Sequence, residues 1–403
     1  MPKSLQSLLP NSTAEERSAL AIMQPRTKRR LVRELSCVLA ADTICEPLRI
    51  RILQCTGLPA QVKSQLCRDL ALEDKDSNYR VYAELLMQLP REPRVVHQTR
   101  NARCKMLVDA RQKMDKVVHG QVALKDTLMQ AISQRLCCPD AAPMAIGIQG
   151  PAGNGKTTLL RHGVADALDI PFHTVSLGGL SDSSHLLGFD RTYQNARHGR
   201  LAEIALQSKC TNPIIFFDEL DKVSTSGGND VTNVLIHLTD PESSGSIHDK
   251  FLGPIDLSGA TLVFAYNDAS LVHPVLLNRL RCVESTGYSQ AEKLEIAKQY
   301  LWPRAVEKTA CGEVTCDEAV LAEVVRRCEH EEGVRQLQQS VASIVQRSNT
   351  CIATTGKVSL GVPSECYSID GSVSLTMPEA TKLVDAVLPI RTSGSRPPYA
   401  MYT

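Results

Sequence analysis

Eight residues near the middle of the chain, Gly150-Pro151-Ala152-Gly153-Asn154-Gly155-Lys156-Thr157, fit the spacing G-x-x-x-x-G-K-[ST]. Backbone N–H groups of such a loop wrap the phosphates of a nucleotide. Glycines let the backbone approach the anion, a lysine reaches the β- and γ-phosphates, and the neighbouring hydroxyl ligates Mg²⁺. Lys156 and Thr157 stand at those positions, with Thr158 next in the nucleotide-contacting set. Further along, Pro213-Ile214-Ile215-Phe216-Phe217-Asp218-Glu219 is an apolar run ending in two carboxylates. Asp218 suits a second contact to the metal, through water, and Glu219 suits a general base that polarises an attacking water. Together these residues predict ATP and Mg²⁺ as ligands and hydrolysis as the reaction.

Chemistry at that spacing needs a strand, a glycine loop and a helix in succession. Met144–Gln149 reads as a buried strand, and Thr158–Leu168 has helical spacing. The helix N-terminus then aims free N–H groups and a partial positive charge at the anion. Further strands are predicted at Phe172–Ser176, Ile214–Asp218, Thr261–Tyr266 and Cys282–Thr286. Alternating with helical segments, they indicate an α/β fold, a parallel, doubly wound sheet flanked by helices.

The flanking regions read as helical. Residues 1–104 form an N-terminal helical region, with a capping box at Thr13-Ala14-Glu15-Glu16. Leu31, Leu35, Val38 and Leu39 recur at helical spacing, followed by Ile50, Leu53, Val62, Leu66 and Leu70. The run Arg26-Thr27-Lys28-Arg29-Arg30 reads as a solvated helix face or as a contact to nucleic acid. Pro90 and Pro93 close this region. Lys105–Leu136 is helical with a break at His119-Gly120, so the nucleotide-binding domain is assigned to 105–288. A small helical domain follows over 289–350. In the remaining extension, 351–403, Cys351–Leu375 reads as a hairpin or an irregular loop and Pro378–Val387 as a helix. The Pro/Ser/Gly tail Arg391–Thr403 reads as mobile.

A net charge of +1 gives no field pointing to nucleic acid as the main partner or to an anionic membrane. No apolar stretch approaches the roughly eighteen residues of a membrane span. The N-terminus lacks a signal-peptide core, and Glu15 and Glu16 argue against a transit peptide. The fourteen cysteines are scattered, with no C-x-x-C pair, which argues against a structural metal. Cys37 and Cys328 lie in apolar helical patterns, as free thiols do. A reducing, cytoplasmic compartment is expected.

Residues 145–345 resemble the ATPase module of the Lon protease family, within the AAA+ superfamily. Beyond the two nucleotide motifs, the likeness rests on Leu177-Gly178-Gly179, Arg191-Thr192-Tyr193, Asp218-Glu219-Leu220-Asp221-Lys222 and Asp240-Pro241-Glu242. It continues through Gly287-Tyr288 and Glu332-Gly333-Val334-Arg335, in the family's order and close to its spacing. Upstream, Tyr82–Pro90 and Ala110–Leu136 resemble the helices that precede the Lon ATPase. The resemblance implies a homo-oligomeric ring, usually a hexamer, hydrolysing ATP between neighbouring subunits. It implies that Asn267, ending Phe264-Ala265-Tyr266-Asn267, orients the attacking water. Arg279, in Leu276-Leu277-Asn278-Arg279, resembles the arginine finger given to the neighbour's ATP. Arg335 resembles the residue that reads the γ-phosphate within its own subunit, and Val118, His119 and Gly120 match the stretch bordering the adenine. Without that likeness, Arg279 and Arg335 read as surface arginines. Tyr193 resembles the aromatic with which such rings grip an unfolded polypeptide; its alternative is a tyrosine packed in a core. Gln194 follows it where the family usually has an aliphatic residue, which bears on grip and substrate choice.

The chain departs from Lon proteases in one respect. Its residues after Arg335 are too few for the Ser–Lys protease domain, and no segment resembles the serine motif; Lys357 and Lys382 lack a nucleophile partner. Three readings follow: a Lon-like ATPase that unfolds or remodels proteins without cutting them; the ATPase part of a proteolytic machine whose peptidase lies on another chain or was truncated; and an assembly scaffold or DNA-associated ATPase controlled by nucleotide.

Overall fold

The computed structural model of the chain describes residues 48–72, 77–94, 99–138, 144–193, 196–223, 230–240, 246–309, 313–354, 357–366, 372–377 and 380–388. The capping box at Thr13–Glu16, the apolar positions from Leu31 to Leu39, the basic run at Arg26–Arg30, Gln194 and the tail from Arg391 lie outside the described residues. The chain divides into two compact units, Met1–Leu89 with Arg191–Ala196, and Pro90–Asp190 with Arg197–Thr403.

In the first unit, helices α1 (Leu48–Gln54), α2 (Ala60–Leu72) and α3 (Ser77–Gln88) enclose Ile52, Leu58, Leu66, Leu70, Tyr79 and Ala83. Leu66 and Leu70 point inward as their spacing predicts, whereas Ile50 and Leu53 are exposed. A seven-residue helix offers the core one stripe, and Ile52 takes it. Ile50 and Leu53 sit about 200° and 100° around the helix from it. Arg51 pairs with Glu84 at 2.9 Å, joining α1 to α3.

The second unit opens with α4 (Arg100–Val117) and α5 (Val122–Cys137). The chain turns between them through Gly120 (φ +61°) and Gln121 (φ +53°). Five strands then form a parallel sheet: β1 (Ala145–Gln149), β2 (Phe172–Ser176), β3 (Ile214–Asp218), β6 (Thr261–Tyr266) and β7 (Arg281–Glu284), in the order β2-β3-β6-β1-β7. Phe216, Phe217 and Phe264 are fully buried, and the rings of Phe217 and Phe264 stack 4.7 Å apart. Each such side chain contributes about 1.5–3 kcal/mol on leaving water. Residues 156–168 form one helix, α6, with a π-helical stretch at Leu159–Ala165. Its buried Leu159, Leu160 and Val164 share a core with Met114 of α4. After α7 (Arg200–Ser208) and α8 (Asp230–Leu238), a short hairpin intervenes, β4 (Ser246–Asp249) with β5 (Gly253–Asp256). Its turn is closed by the buried Asp249 carboxylate, which accepts from Phe251 N, Leu252 N and Gly199 N. Helix α9 (Pro274–Arg279) precedes β7.

A helical domain follows. Helix α10 starts at Gln290 with a Ser289/Glu292 capping box and runs through a π-helical stretch, Ala297–Leu301, to Thr309. Then come β8 (Val314–Cys316), α11 (Glu318–Arg327), α12 (Arg335–Ala353), β9 (Val373–Leu375) and α13 (Thr381–Val387). The expected boundary at 350 falls inside α12. Cys351, Val362, Cys366, Val373, Leu375, Leu383 and Val384 share one core with Val320, Val324, Leu337, Val341 and Ile344. Of the two readings of 351–375 the hairpin is corrected, since β9 pairs in parallel with the distant β8; residues 357–366 are irregular apart from a 3-10 turn at Ser364–Cys366. Alternation confined to Val373, Ser374 and Leu375 is too short to announce a strand.

Candidate functional site

The loop 150–155 leaves the C-terminal end of β1 and enters α6 directly. Gly150 N donates to Tyr266 O at 3.1 Å, fixing the loop's start to the neighbouring strand β6. Gly153 has φ +86°, and a Cβ there would stand 2.9 Å from Arg335 N. The backbone of the helical domain therefore lies directly against the loop. Gly333 completes the contact, since its Cβ would meet Ala152 O at 2.2 Å, and Val334 N donates to Gly153 O at 3.3 Å. Glu331 accepts from Arg335 N and Gln336 N, capping α12 where it reaches the loop.

Lys156 Nζ donates to Gly150 O at 2.6 Å and Pro151 O at 2.9 Å. Burial pushes its pKa down, and the Asp218 and Asp221 carboxylates pull the other way. Asp218 Oδ1 accepts from Glu219 N at 3.0 Å, and Glu219 itself has φ +60°. That backbone conformation aims successive carboxylates differently at the strand end, at a cost that non-glycine residues bear at sites where the surroundings fix them. Ser176 Oγ donates to Glu219 Oε2 at 3.4 Å. Asp221 Oδ2 is buried with no hydrogen-bond partner among the described residues, Lys222 Nζ standing 3.8 Å away.

These groups line a cavity of about 360 Å³ at the C-terminal ends of β1, β3 and β6, where parallel sheets hold ligands. Of the residues singled out in the sequence, Val118, His119, Ala152, Gly153, Asn154, Gly155, Lys156, Thr157, Thr158, Asp218, Glu219, Asn267 and Arg335 line it together. Gly150 and Pro151 are not in the lining; they sit beneath it, their carbonyls turned to Lys156. Gly120 is also outside the lining. Val118 is held by the buried Lys125, whose Nζ donates to Val118 O at 2.7 Å. Arg279 stands elsewhere, donating to Ile236 O at 2.6 Å with Asp240 Oδ2 at 3.5 Å. Tyr193 belongs to the first unit and is 65% exposed, which excludes the packed-core alternative. There Asn78 Nδ2 donates to Arg191 O and Tyr193 O, and the Arg191 guanidinium lies 4.0 Å over the Tyr82 ring.

Several lining residues had no site role in the sequence reading: Asp221 and Tyr288, which carried only the family likeness, and Ile296, Tyr300, Arg304 and Gln338. Ile296, Tyr300 and Arg304 recur every four residues on α10, a one-face spacing visible in the sequence. What it faces depends on how the helix docks. Tyr300 OH donates to Asp115 O at 3.3 Å, and Tyr288 OH lies 3.4 Å from His119 O and 3.2 Å from Asn154 O.

The cavity thus joins a cation and a helix N-terminus to a cluster of oxygen donors. The Thr157 hydroxyl, the Asp218 carboxylate and the unpartnered Asp221 oxygen are hard donors of the kind magnesium takes, so the residues present fit that ion. The apolar and aromatic wall around Val118, Ile296 and Tyr300 suits a flat base.

Residues 146–288 match the family model described as ATPase family associated with various cellular activities (AAA). The chain is 30% identical over 325 residues to a Lon protease homolog of Acanthamoeba polyphaga mimivirus, covering 75% of this chain and 31% of that protein. It is 29% identical over 313 residues to the peroxisomal Lon protease homolog 2 of Arabidopsis thaliana, covering 75% and 35%. With the Lon protease of Desulfovibrio desulfuricans it shares 31% identity over 302 residues, covering 72% and 33%. The chain spans about a third of the length of these curated relatives. Among the described residues no helix is long and apolar enough to cross a membrane.

Proposed function

Because this chain belongs to the AAA ATPase family and is related to the Lon proteases, we propose that it hydrolyses ATP in a ring of identical subunits and uses the turnover to unfold or remodel proteins. The observation that carries the reading is the single cavity shared by Lys156, Asp218, Glu219, Asn267 and Arg335, with Arg279 held away from it.

In this reading the loop amides and Lys156 bind the phosphates, and Thr157 and Asp218 hold Mg²⁺, which when bound neutralises charge between the phosphates. Glu219 takes the proton of a water that Asn267 orients. Arg335 reports the γ-phosphate to the helical domain through the contact of Gly333 with the loop. Val118 and His119, with Gly120 beside them, border the base. Arg279 lies outside its own cavity, which supports a role at a neighbour's site. Its present partners, Ile236 O and Asp240, keep the guanidinium ordered until a neighbour arrives.

Tyr193, on an exposed turn, is the proposed contact to an unfolded polypeptide; an aromatic meets many side-chain types with little entropy to lose. The chain itself is proposed not to cut peptide bonds. A second reading, the ATPase part of a Lon-type protease whose peptidase is elsewhere, is favoured by the names of the matched relatives. One reaction tests the grip of Tyr193 and the absence of cutting by this chain, which both readings share. Purified chain, ATP and a fluorescent unfoldable protein are incubated, with fluorescence and gel fragments followed together. Loss of fluorescence without fragments is expected, and Tyr193→Ala should abolish both that loss and the stimulation of ATP turnover by the polypeptide. Unfolding that survives Tyr193→Ala rejects the grip assignment, and fragments from the pure chain reject the non-protease reading.

A further inference from the structure

The phosphate loop is fastened from behind by one of its own side chains. Asn154 is 1% exposed, and its Nδ2 donates to Ser285 O at 3.0 Å and Thr286 O at 2.7 Å, with Ser285 Oγ at 3.3 Å. Two carbonyl acceptors fix which end of the amide is the nitrogen. Its Oδ1 is buried without a partner among the described residues. An apolar side chain would avoid that orphaned oxygen, so the amide is explained by its donors.

The bonds continue in both directions. Ser285 Oγ donates to Gln121 Oε1 at 3.0 Å, and Gln121 Nε2 donates to Thr286 O at 2.9 Å. Ser285 N donates to Gln149 O at 2.7 Å, so the same segment also holds the strand end that feeds the loop. Tyr288 OH meets Asn154 O, and Tyr288 N donates to Glu332 O at 2.9 Å, next to the Gly333–Arg335 turn. Residues 285–288 join β7 to α10 and are the connection between the α/β half and the helical half. The loop tip therefore lies between this connection on one side and the helical domain's turn on the other.

We infer that Asn154 is a positioning residue: it holds the phosphate loop in its anion-binding shape by tying it to the 285–288 connection, so that loop shape and connection move together. The inference rests on the nucleotide reading above. A glycine-rich loop loses much conformational freedom when it is ordered. The donors of Asn154 and Gln121 order it before any ligand arrives, which lowers the entropic cost of binding.

The test compares wild type, Asn154→Ala, Asn154→Thr and Gln121→Ala in the full chain. It measures affinity for a fluorescent ATP analogue, hydrogen exchange of the amides of 285–288 without nucleotide, and melting temperature. Asn154→Ala should weaken the analogue roughly tenfold, the scale of one or two net hydrogen bonds, and speed exchange at 285–288. Asn154→Thr, with one donor, should recover part of both, and Gln121→Ala should shift both in the same direction by less. Wild-type affinity in Asn154→Ala overturns the inference. So does weakened affinity with unchanged exchange, which means the side chain serves the nucleotide directly. If Asn154→Ala does not fold, Gln121→Ala decides alone, and no change in its affinity or exchange overturns the inference. If wild type does not bind the analogue, the nucleotide reading falls, while exchange in the nucleotide-free proteins still decides the role of Asn154.

Discussion

The α/β half of the second unit and its helical half contribute to the cavity in different ways. The α/β half brings reactive groups on the ends of buried strands: Asp218 at the end of β3 with Glu219 next to it, Asn267 after β6, and Lys156 after the β1 loop. Strands paired along their whole length with neighbours fix those ends through the sheet. The helical half brings mostly shape. It lays a backbone turn at Gly333 on the loop, the guanidinium of Arg335, and one face of α10 that carries Ile296, Tyr300 and Arg304. A division of labour follows. In the α/β half, loss of the carboxylates at the strand ends should fall on turnover, whereas damage to the phosphate loop or to the helical half should fall on affinity or stability.

The strongest way to break this comparison is at Glu219. Glu219→Gln keeps shape but cannot take a proton, so turnover should fall by about 10²–10⁴-fold with ATP still bound. Lys156→Ala should weaken binding itself, as the phosphates lose their cation. Steady-state hydrolysis beside equilibrium binding separates the two. Normal turnover by Glu219→Gln would show that the base is misassigned. Next in size, Arg279→Ala should lose roughly a thousandfold in turnover, the lower end of what arginine fingers supply. Mixing it with Glu219→Gln subunits should restore some activity, because each variant supplies the part the other lacks. A mixture that co-assembles and stays inactive would sink the assignment of Arg279 to a neighbour's site.

How legible each half was in the sequence follows the same division. The glycine loop and Asp218-Glu219 were readable because their chemistry is local: spacing and residue type suffice for a backbone that wraps an anion. The central strands β1, β3 and β6 were readable because buried parallel strands are continuous apolar runs; the edge strands β2 and β7 are less buried and carry a weaker signal. The helical half was readable only as helices. Its core depends on β8 meeting β9 across a long stretch of chain, three residues on each side, and nothing local at Val314 or Val373 announces a partner. The β4–β5 hairpin was hidden for another reason. Its turn relies on a buried Asp249 held by three amides, including the distant Gly199 N. Tyr300 and Arg304 stood at helical spacing, but only docking of α10 tells which face meets the cavity.

Gly333→Ala tests the seam between the halves and should cost less than either arginine or glutamate change. A Cβ there would stand 2.2 Å from Ala152 O, a backbone atom that cannot swing away. The turn must lift from the loop, and ATP affinity should fall roughly tenfold, about 1.4 kcal/mol, with turnover at saturating ATP reduced far less. Calorimetric binding and saturation kinetics on one preparation check the split. A variant that binds normally but turns over slowly would mean that the helical half acts in chemistry, contrary to the division proposed.

The smallest expected effect lies wholly inside the helical half, away from the cavity. Glu323 on α11 accepts from Arg326 Nε and NH2 at 2.8 Å and from Arg327 Nε at 2.7 Å. Arg327 NH1 continues to Asp385 Oδ1 at 2.6 Å and Leu388 O at 2.9 Å, binding α11 to the end of α13. Hydrogen bonding from Arg326, with Arg327 adding to it, holds the Glu323 carboxyl down at about 2, against an ordinary 4.5. A folded pKa below the unfolded one gives stability that is full above about pH 4.5 and is lost as pH falls toward 2. Solvent screens the pair with Arg326, so the effect should be about 1 kcal/mol. Other carboxylates titrate in the same range, and comparison with Glu323→Gln removes their share. The variant should melt lower than wild type near pH 6, and the gap should close as pH drops from 4.5 toward 2.5. ATP affinity near pH 7 should change little, because Arg335 is held at the loop by Glu331 and Gly333 rather than by this network. A pH-independent gap would mean that Glu323 supports α11 by packing alone, and the helical half would then owe its stability to the apolar core shared by α11, α12 and α13.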